Sequence, residues 1–202
     1  MPAAIDRAGR RTHLASRRGA MGGLLKSWHR RRERRSAMLG AYRQIVDRAR
    51  EPVLFHVWGV PDTLDGRFEV LALHAFLVLH RLKREGEATA EFAQALFDTM
   101  FADLDGALRE MGASDLGVGP RIKAMARGFY GRVAAYERGL GDSGDLEAAL
   151  RRNLFGTIRP GEAQVEAASR YLRQQVAALA AAPVEALLEG RVAFAALAGA
   201  GE

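Results

Sequence analysis

Six prolines (Pro2, Pro52, Pro61, Pro120, Pro160 and Pro183) divide the chain into long runs, and within those runs apolar residues recur every three or four positions. None of the runs sustains the two-residue alternation of a half-buried strand. The clearest case is Ile122, Met125, Phe129, Val133, Tyr136 and Leu140, whose 3–4–4–3–4 spacing draws one packing stripe along a helix. A chain punctuated this way has to build its core from helix faces, so the expected fold is all-α: a compact multi-helix bundle with a basic N-terminal tail.

The helices follow from the same pattern. A first helix is expected at about 36–50, then an apolar connector at 53–60. A second helix starts at Asp62/Thr63 and runs to about Arg84, with Asp62 as N-cap and Asp65 in the first turn where the helix dipole favours a carboxylate. Nearly every position from Val70 to Leu82 is apolar, so this helix should be buried on most of its circumference. A third, at about 90–111, places Ala93, Phe97, Met100, Phe101, Leu104, Leu108 and Met111 on one face and ends at Gly112. After a loop at 112–119 the fourth helix opens with Pro120 in its first turn, where the missing N–H costs nothing. A turn at 141–144, a short helix at 145–154 and a longer one at about 162–181 complete the body, and the end beyond Pro183 begins helically and then loses any readable period. The expected division is a basic segment at 1–35, disordered or lying on a membrane surface, a helical domain at 36–190, and a tail at 191–202.

Charge is unevenly placed. Residues 1–35 hold eleven Lys/Arg against Asp6 and Glu33, or +9, so the remainder of this +6 chain carries 6 − 9 = −3. The basicity belongs to a tail, not to a nucleic-acid-binding fold, and no DNA is expected among the partners. The first 20 residues are Arg-rich and nearly free of acid. That suits either a mitochondrial transit peptide or a leader ahead of an initiating Met21. No apolar stretch reaches the ~18–20 residues of a membrane span, and the nearest, 68–82, contains Glu69, His74, His80 and Arg81.

Little in the sequence asks for catalysis. There is no cysteine, which excludes disulfides, thiolate metal sites and a cysteine nucleophile. Asp98, Asp103 and Asp105 lie close in sequence but diverge around a helix, and Asp105 and Arg109 read as an i,i+4 ion pair. His74 and His80 are six apart, the wrong spacing for a shared metal, and His74 reads as a core histidine bonded to a neighbour. Gly117-Val-Gly119 follows no strand and lacks the third glycine of a dinucleotide fingerprint. Catalytic, metal and cofactor residues are therefore all expected to be absent.

Three features point to binding instead. As a helix, Met21, Leu24, Leu25 and Trp28 form an apolar patch beside Lys26, Arg30, Arg31, Arg32, Arg34 and Arg35. Such a segment suits an anionic membrane surface, RNA phosphates such as those of a ribosome, or merely a soluble tail. Gly128 and Gly131 sit inside the fourth helix, at about 0.5–1 kcal/mol each, so either another helix of the bundle or a partner should approach the backbone there. The same helix carries Arg121, Lys123, Arg127, Arg132 and Arg138. This is either a docking surface for an acidic partner or a solvated face. Arg121, Lys123, Arg127, Gly128, Tyr130 and Gly131 are the candidate partner-binding residues.

Several ordered blocks carry a resemblance. They are Gly59-Val-Pro-Asp-Thr-Leu-Asp-Gly-Arg-Phe68 with Leu73-His-Ala-Phe-Leu-Val-Leu-His-Arg-Leu82, then Leu96-Phe-Asp-Thr-Met-Phe-Ala-Asp-Leu-Asp-Gly-Ala-Leu-Arg-Glu-Met-Gly112. Asp115-Leu-Gly-Val-Gly-Pro-Arg-Ile-Lys-Ala-Met-Ala-Arg-Gly-Phe-Tyr-Gly-Arg-Val-Ala-Ala-Tyr136 and Asn153-Leu-Phe-Gly156 follow. Together, over about 38–190, they resemble the ubiquinol–cytochrome c chaperone family in its alphaproteobacterial form, with Pro120 departing from the basic residue expected there. The resemblance implies a non-enzymatic assembly chaperone that holds newly synthesised cytochrome b during biogenesis of ubiquinol–cytochrome c reductase (complex III). It also implies a place in the cytoplasm at the inner membrane, or on the matrix side in a mitochondrion, near a ribosome. A general membrane- or ribosome-associated helical adaptor is the alternative.

Overall fold

A computed structural model describes residues 11–142 and 144–197; the side chains of 11–27, Arg30 and Asp115 lie outside the described residues. The chain divides into two units, 1–36 and 37–202. The elements in order are α1 (Arg11–Ala49), α2 (Pro52–His56), α3 (Leu64–Lys83), α4 (Glu87–Glu110), α5 (Asp115–Leu140), α6 (Leu146–Arg152), α7 (Glu162–Ala181) and α8 (Val184–Leu188). The all-α expectation holds, with no strand among the described residues.

In the second unit α3 is the organising element. Val70, Leu73, Phe76 and Leu77 enter one core cluster with side chains of α5, α6 and α7. Phe68, Ala72, Ala75, Val78 and Leu82 enter another, with α1, α4 and Phe129 of α5. A helix apolar around most of its circumference can feed two clusters at once. Each Leu or Phe so buried contributes roughly 1.5–3 kcal/mol.

Five expectations are corrected locally. α1 starts at Arg11 rather than near 36, and the connector contains one helical turn, α2, opened by Pro52 at a first-turn position. The N-cap of α3 is Thr63, whose hydroxyl accepts from the Gly66 N–H at 3.2 Å. Asp62 is taken instead by the Arg67 guanidinium, at 2.5 and 3.1 Å, which holds its carboxyl below the usual range. α5 starts five residues before Pro120, so the proline stands inside the helix; the fully buried Val118 anchors that extra turn to the body. Met111, expected on the packed face of α4, is instead its C-cap and 59% exposed, because Gly112 at φ 88° turns the chain away there.

Beyond α8 the irregular stretch 191–197 packs onto the body. The Gln44 side chain donates to Gly190 O and accepts from the Val192 N–H at 3.0 Å. Gln175 accepts from the Ala195 N–H at 2.8 Å and donates to its carbonyl at 3.1 Å. Leu197 is buried in the first cluster.

Candidate functional site: the α5 face and its flanking cleft

The stripe of α5 that packs inward centres on Phe129 and Tyr136, both essentially inaccessible. Its opposite arc is set by the same 100° step per residue. Leu116, Lys123, Tyr130, Gly131 and Arg138 all fall within about 60° of Arg127 on that arc, and all are exposed. Leu116 is the extreme, at 91%. Among the described residues Lys123, Arg127 and Arg138 pair with no carboxylate. Glu137, the acidic side chain of this helix whose contacts are described, is taken by Lys83 at 2.8 Å. The arc is therefore cationic without local neutralisation.

The two glycines have different neighbours. A Cβ on Gly131 would meet nothing within 4 Å, so no described helix approaches it. A Cβ on Gly128 would come 2.7 Å from Arg132 Nη1, a side chain of the same helix, and meet no other helix. Of the two alternatives for this pair, a bundle helix or a partner, the described residues supply no bundle helix. Arg132 is no surface decoration either: it makes a bidentate fork with Glu69 of α3, with Nε to Oε2 at 2.5 Å and Nη2 to Oε1. Its guanidinium lies 5.3 Å from the centre of the Phe68 ring. The Glu69 hydrogen bonds push the Arg132 guanidinium further up, against the effect of burial. Gly128 leaves the room that this fork needs. Nothing in the α5 sequence announces it, since the partner is 63 residues away.

Of the six candidate partner-binding residues, the fold brings Lys123, Arg127, Tyr130 and Gly131 together on the outward arc. Arg121 and Gly128 turn toward the flank of Arg132. There α3, α5 and the stretch after α6 enclose a cleft of about 420 Å³. Its walls are Asp65, Phe68 and Glu69 from α3, Arg121, Met125 and Arg132 from α5, and Arg152 with Asn153, Leu154 and Thr157 beyond it. On the other side of α5, Tyr130 edges a smaller hollow of about 230 Å³ floored by Leu79, Phe97, Phe129 and Val133. Tyr130 is 59% exposed and stacks on Phe97 at 5.3 Å. His80 also lines this hollow; burial lowers its pKa, and Glu137, 3.7 Å away, opposes that shift.

The carboxylates and histidines weighed for metal binding are dispersed. Asp98 accepts from Gln94, Asp103 from the Tyr42 hydroxyl at 2.8 Å, and Asp105 pairs with Arg109 as expected. Among the described residues no group of three or more such side chains could hold a metal ion. His74 is a core histidine, bonded to Val70 O and the Tyr171 hydroxyl, both at 2.8 Å.

In the first unit, Trp28 is 56% exposed, with the Arg32 guanidinium 5.7 Å from its ring centre and His29 edge-on at 5.2 Å. Arg31, Arg34 and Arg35 are exposed too, whereas the side chains of Leu24, Leu25, Lys26 and Arg30 lie outside the described residues. Among the described residues no helix is long and apolar enough to cross a membrane.

Comparison with known proteins agrees with this architecture. A family described as ubiquinol-cytochrome C chaperone matches residues 56–194. Ubiquinol-cytochrome-c reductase complex assembly factor 1 of Xenopus laevis is 30% identical over 141 residues, covering 69% of this chain and 70% of that protein. The mouse protein of the same name is 28% identical over 141 residues, again 69% of this chain but only 48% of its own length, so the chain spans about half of that relative. Among solved structures, the crystal structure of the Cbp3 homolog from Brucella abortus superposes with a TM-score of 0.76 at 36% identity, over 87% of this chain and 98% of that one. With more than half of its length matched by the family model, the chain belongs to the ubiquinol–cytochrome c chaperone family.

Proposed function

We propose that this chain is a non-enzymatic assembly chaperone for ubiquinol–cytochrome c reductase, and that it binds newly synthesised cytochrome b. Its family, and the complex III assembly factors to which it is similar, support the assembly role. The observation that carries the binding reading is the outward arc of α5. Among the described residues Lys123 and Arg127 have no carboxylate partner, Tyr130 is exposed, and no described helix approaches Gly131. A surface of this kind grips another polypeptide and breaks no bond. An apolar client awaiting its other subunits needs a holder, and the two hollows flanking α5 give such a client places to seat side chains.

The basic N-terminal segment adds a second contact. Trp28 beside Arg31, Arg32 and Arg35 has the amphipathic composition of an anionic membrane surface binder, which would keep the holder at the inner membrane beside its client and raise its local concentration. RNA phosphates of a ribosome are the competing surface for the same cations.

Deleting the gene in its native host tests the proposal. Cytochrome b absorbance and complex III activity should both fall, and both should return with the intact chain but poorly with an Arg127→Glu/Gly131→Leu double variant. Wild-type levels of both in the deletion would sink the chaperone reading. Affinity purification from membranes separates the alternatives. One dominant apolar client supports the chaperone, and ribosomal RNA or many unrelated proteins supports a general adaptor.

A further inference from the structure

The cleft between α3, α5 and the stretch after α6 is a second binding feature, distinct from the outward arc. It draws on three of the sequence blocks that carry the family resemblance: Asp65 and Phe68 from the first, Arg121 and Met125 from the third, and Asn153 and Gly156 from the last. Segments so far apart in the chain meet only because α3 and α5 cross beside the end of α6. Its volume, about 420 Å³, lies in the range of sites that take a few side chains or a small ligand. It is open along its length. From Arg121 to Arg132 is eleven residues of helix, or about 16 Å at 1.5 Å per residue.

The charges in the cleft are not equivalent. Arg132 is neutralised by its fork with Glu69, and Asp65 lies close enough to act on the same guanidinium. Arg121 and Arg152 have no carboxylate among the described residues, and the Thr157 hydroxyl has no hydrogen-bond partner among them. Phe68, Met125 and Leu154 supply apolar side chains to the same lining. With three guanidiniums against two carboxylates the lining carries one net positive charge. That favours a single carboxylate flanked by apolar groups and disfavours a polyanion such as RNA, which Asp65 and Glu69 would repel.

We propose that this cleft receives a short segment of a bound polypeptide, seating one Asp or Glu carboxylate on Arg121 and Arg152 and the apolar residue beside it on Phe68 and Met125. The inference rests on the reading that the chain holds a polypeptide client. It adds the chemistry by which one client segment is selected.

The test uses the full chain and a fluorescein-labelled probe peptide, Gly-Ala-Leu-Glu-Leu-Ala-Gly, followed by fluorescence anisotropy. Replacing the peptide's Glu by Gln should weaken binding about tenfold, the loss expected for one charge-assisted contact. Arg121→Gln and Arg152→Gln should each do the same, Arg121→Lys and Arg152→Lys should recover part of it, and Arg84→Gln, an equal loss of charge elsewhere, should change binding less than about twofold. Glu and Gln peptides that bind alike, or no binding at millimolar peptide, would overturn the proposal. So would displacement of the peptide by micromolar inorganic phosphate or by anionic vesicles, either of which would mark the cleft as a general anion site. A photo-crosslinking residue placed at Ala124, in the cleft, or at Tyr130, on the outward arc, separates this idea from the reading beneath it. Complex III subunits captured from Ala124 support the cleft. Capture from Tyr130 alone refutes the cleft and keeps the chaperone. Capture from neither refutes both.

Discussion

His74 sits in the middle of α3 with no exposure to solvent, between the rings of Tyr171 and Phe194. Its Nδ1–H donates to Val70 O and its Nε2 accepts from the Tyr171 hydroxyl, an arrangement that requires the neutral ring. Burial pushes its pKa down to about 4 from the ordinary 6.5. Between those two values the unfolded chain binds a proton that the folded chain refuses, so stability is intact above pH 6.5 and falls as pH drops toward 4. The loss is on the order of 3 kcal/mol. Urea unfolding of wild type and His74→Phe across pH 4–7 checks this: the variant is less stable at neutral pH, and the slope of the wild type between 6.5 and 4 is flattened. Carboxylates and the half-buried His80 add acid sensitivity to both proteins and cancel in the comparison.

The Glu69–Arg132 fork is the other residue-scale commitment. Both side chains are largely shielded, so removing one leaves a poorly solvated charge behind. Glu69→Gln should cost about 2–4 kcal/mol in a denaturant titration and disturb the neighbouring cleft. An ion pair of this kind is invisible from α5 alone, where Arg132 reads as one more surface cation. His74 was legible because an isolated histidine in an apolar run has few ways to be satisfied. The cap of α3 was half legible: the start at Asp62/Thr63 could be read, but the Arg67 contact that diverts Asp62 from the cap spans five positions, a spacing no helical rule anticipates.

At the scale of elements, α5 combines a legible inner stripe with an outer arc whose meaning depends on what surrounds it. Gly131 is the sharpest test. With open space around its Cβ and an ordinary helical conformation, Gly131→Ala should stabilise the protein by about 0.5–1 kcal/mol. The bulkier Gly131→Leu should fold equally well yet lose client capture in membrane pull-downs. Equal capture by Gly131→Leu would mean that nothing packs on this arc. The start of α5 escaped the sequence because Pro120 is normally a boundary, and here the burial of Val118 holds an extra turn in front of it. For α1, salt-sensitive sedimentation with anionic liposomes should vanish when residues 21–35 are deleted, and unchanged sedimentation would remove the membrane role of Trp28 and its arginines.

At the scale of the molecule, the helical body from Ala37 onward is closed by a stretch that has no secondary structure. Two remote glutamines clamp this stretch with paired side-chain-to-backbone bonds, Gln44 on α1 at Gly190 and Val192 and Gln175 on α7 at Ala195. Gly190, at φ 89°, makes the turn into it, and a Cβ there would come 2.5 Å from Ala37 O. This strap lays Phe194 edge-on to His74 and buries Leu197 beside the α3 and α7 side chains. The strap and the histidine are therefore coupled. Ending the chain at Gly190 removes one wall of the His74 site, so an NMR titration should find its pKa shifted up from about 4 toward 6.5. The same truncation takes both hydrogen bonds from the Gln175 side chain, at a cost of about 1–3 kcal/mol. Gln175→Leu should reproduce the instability, since it strands the Ala195 N–H and carbonyl, while moving the His74 titration much less. A truncated chain in which His74 still titrates near 4 would show that α3 and Tyr171 alone exclude water, with the strap serving only to tie α1 to α7.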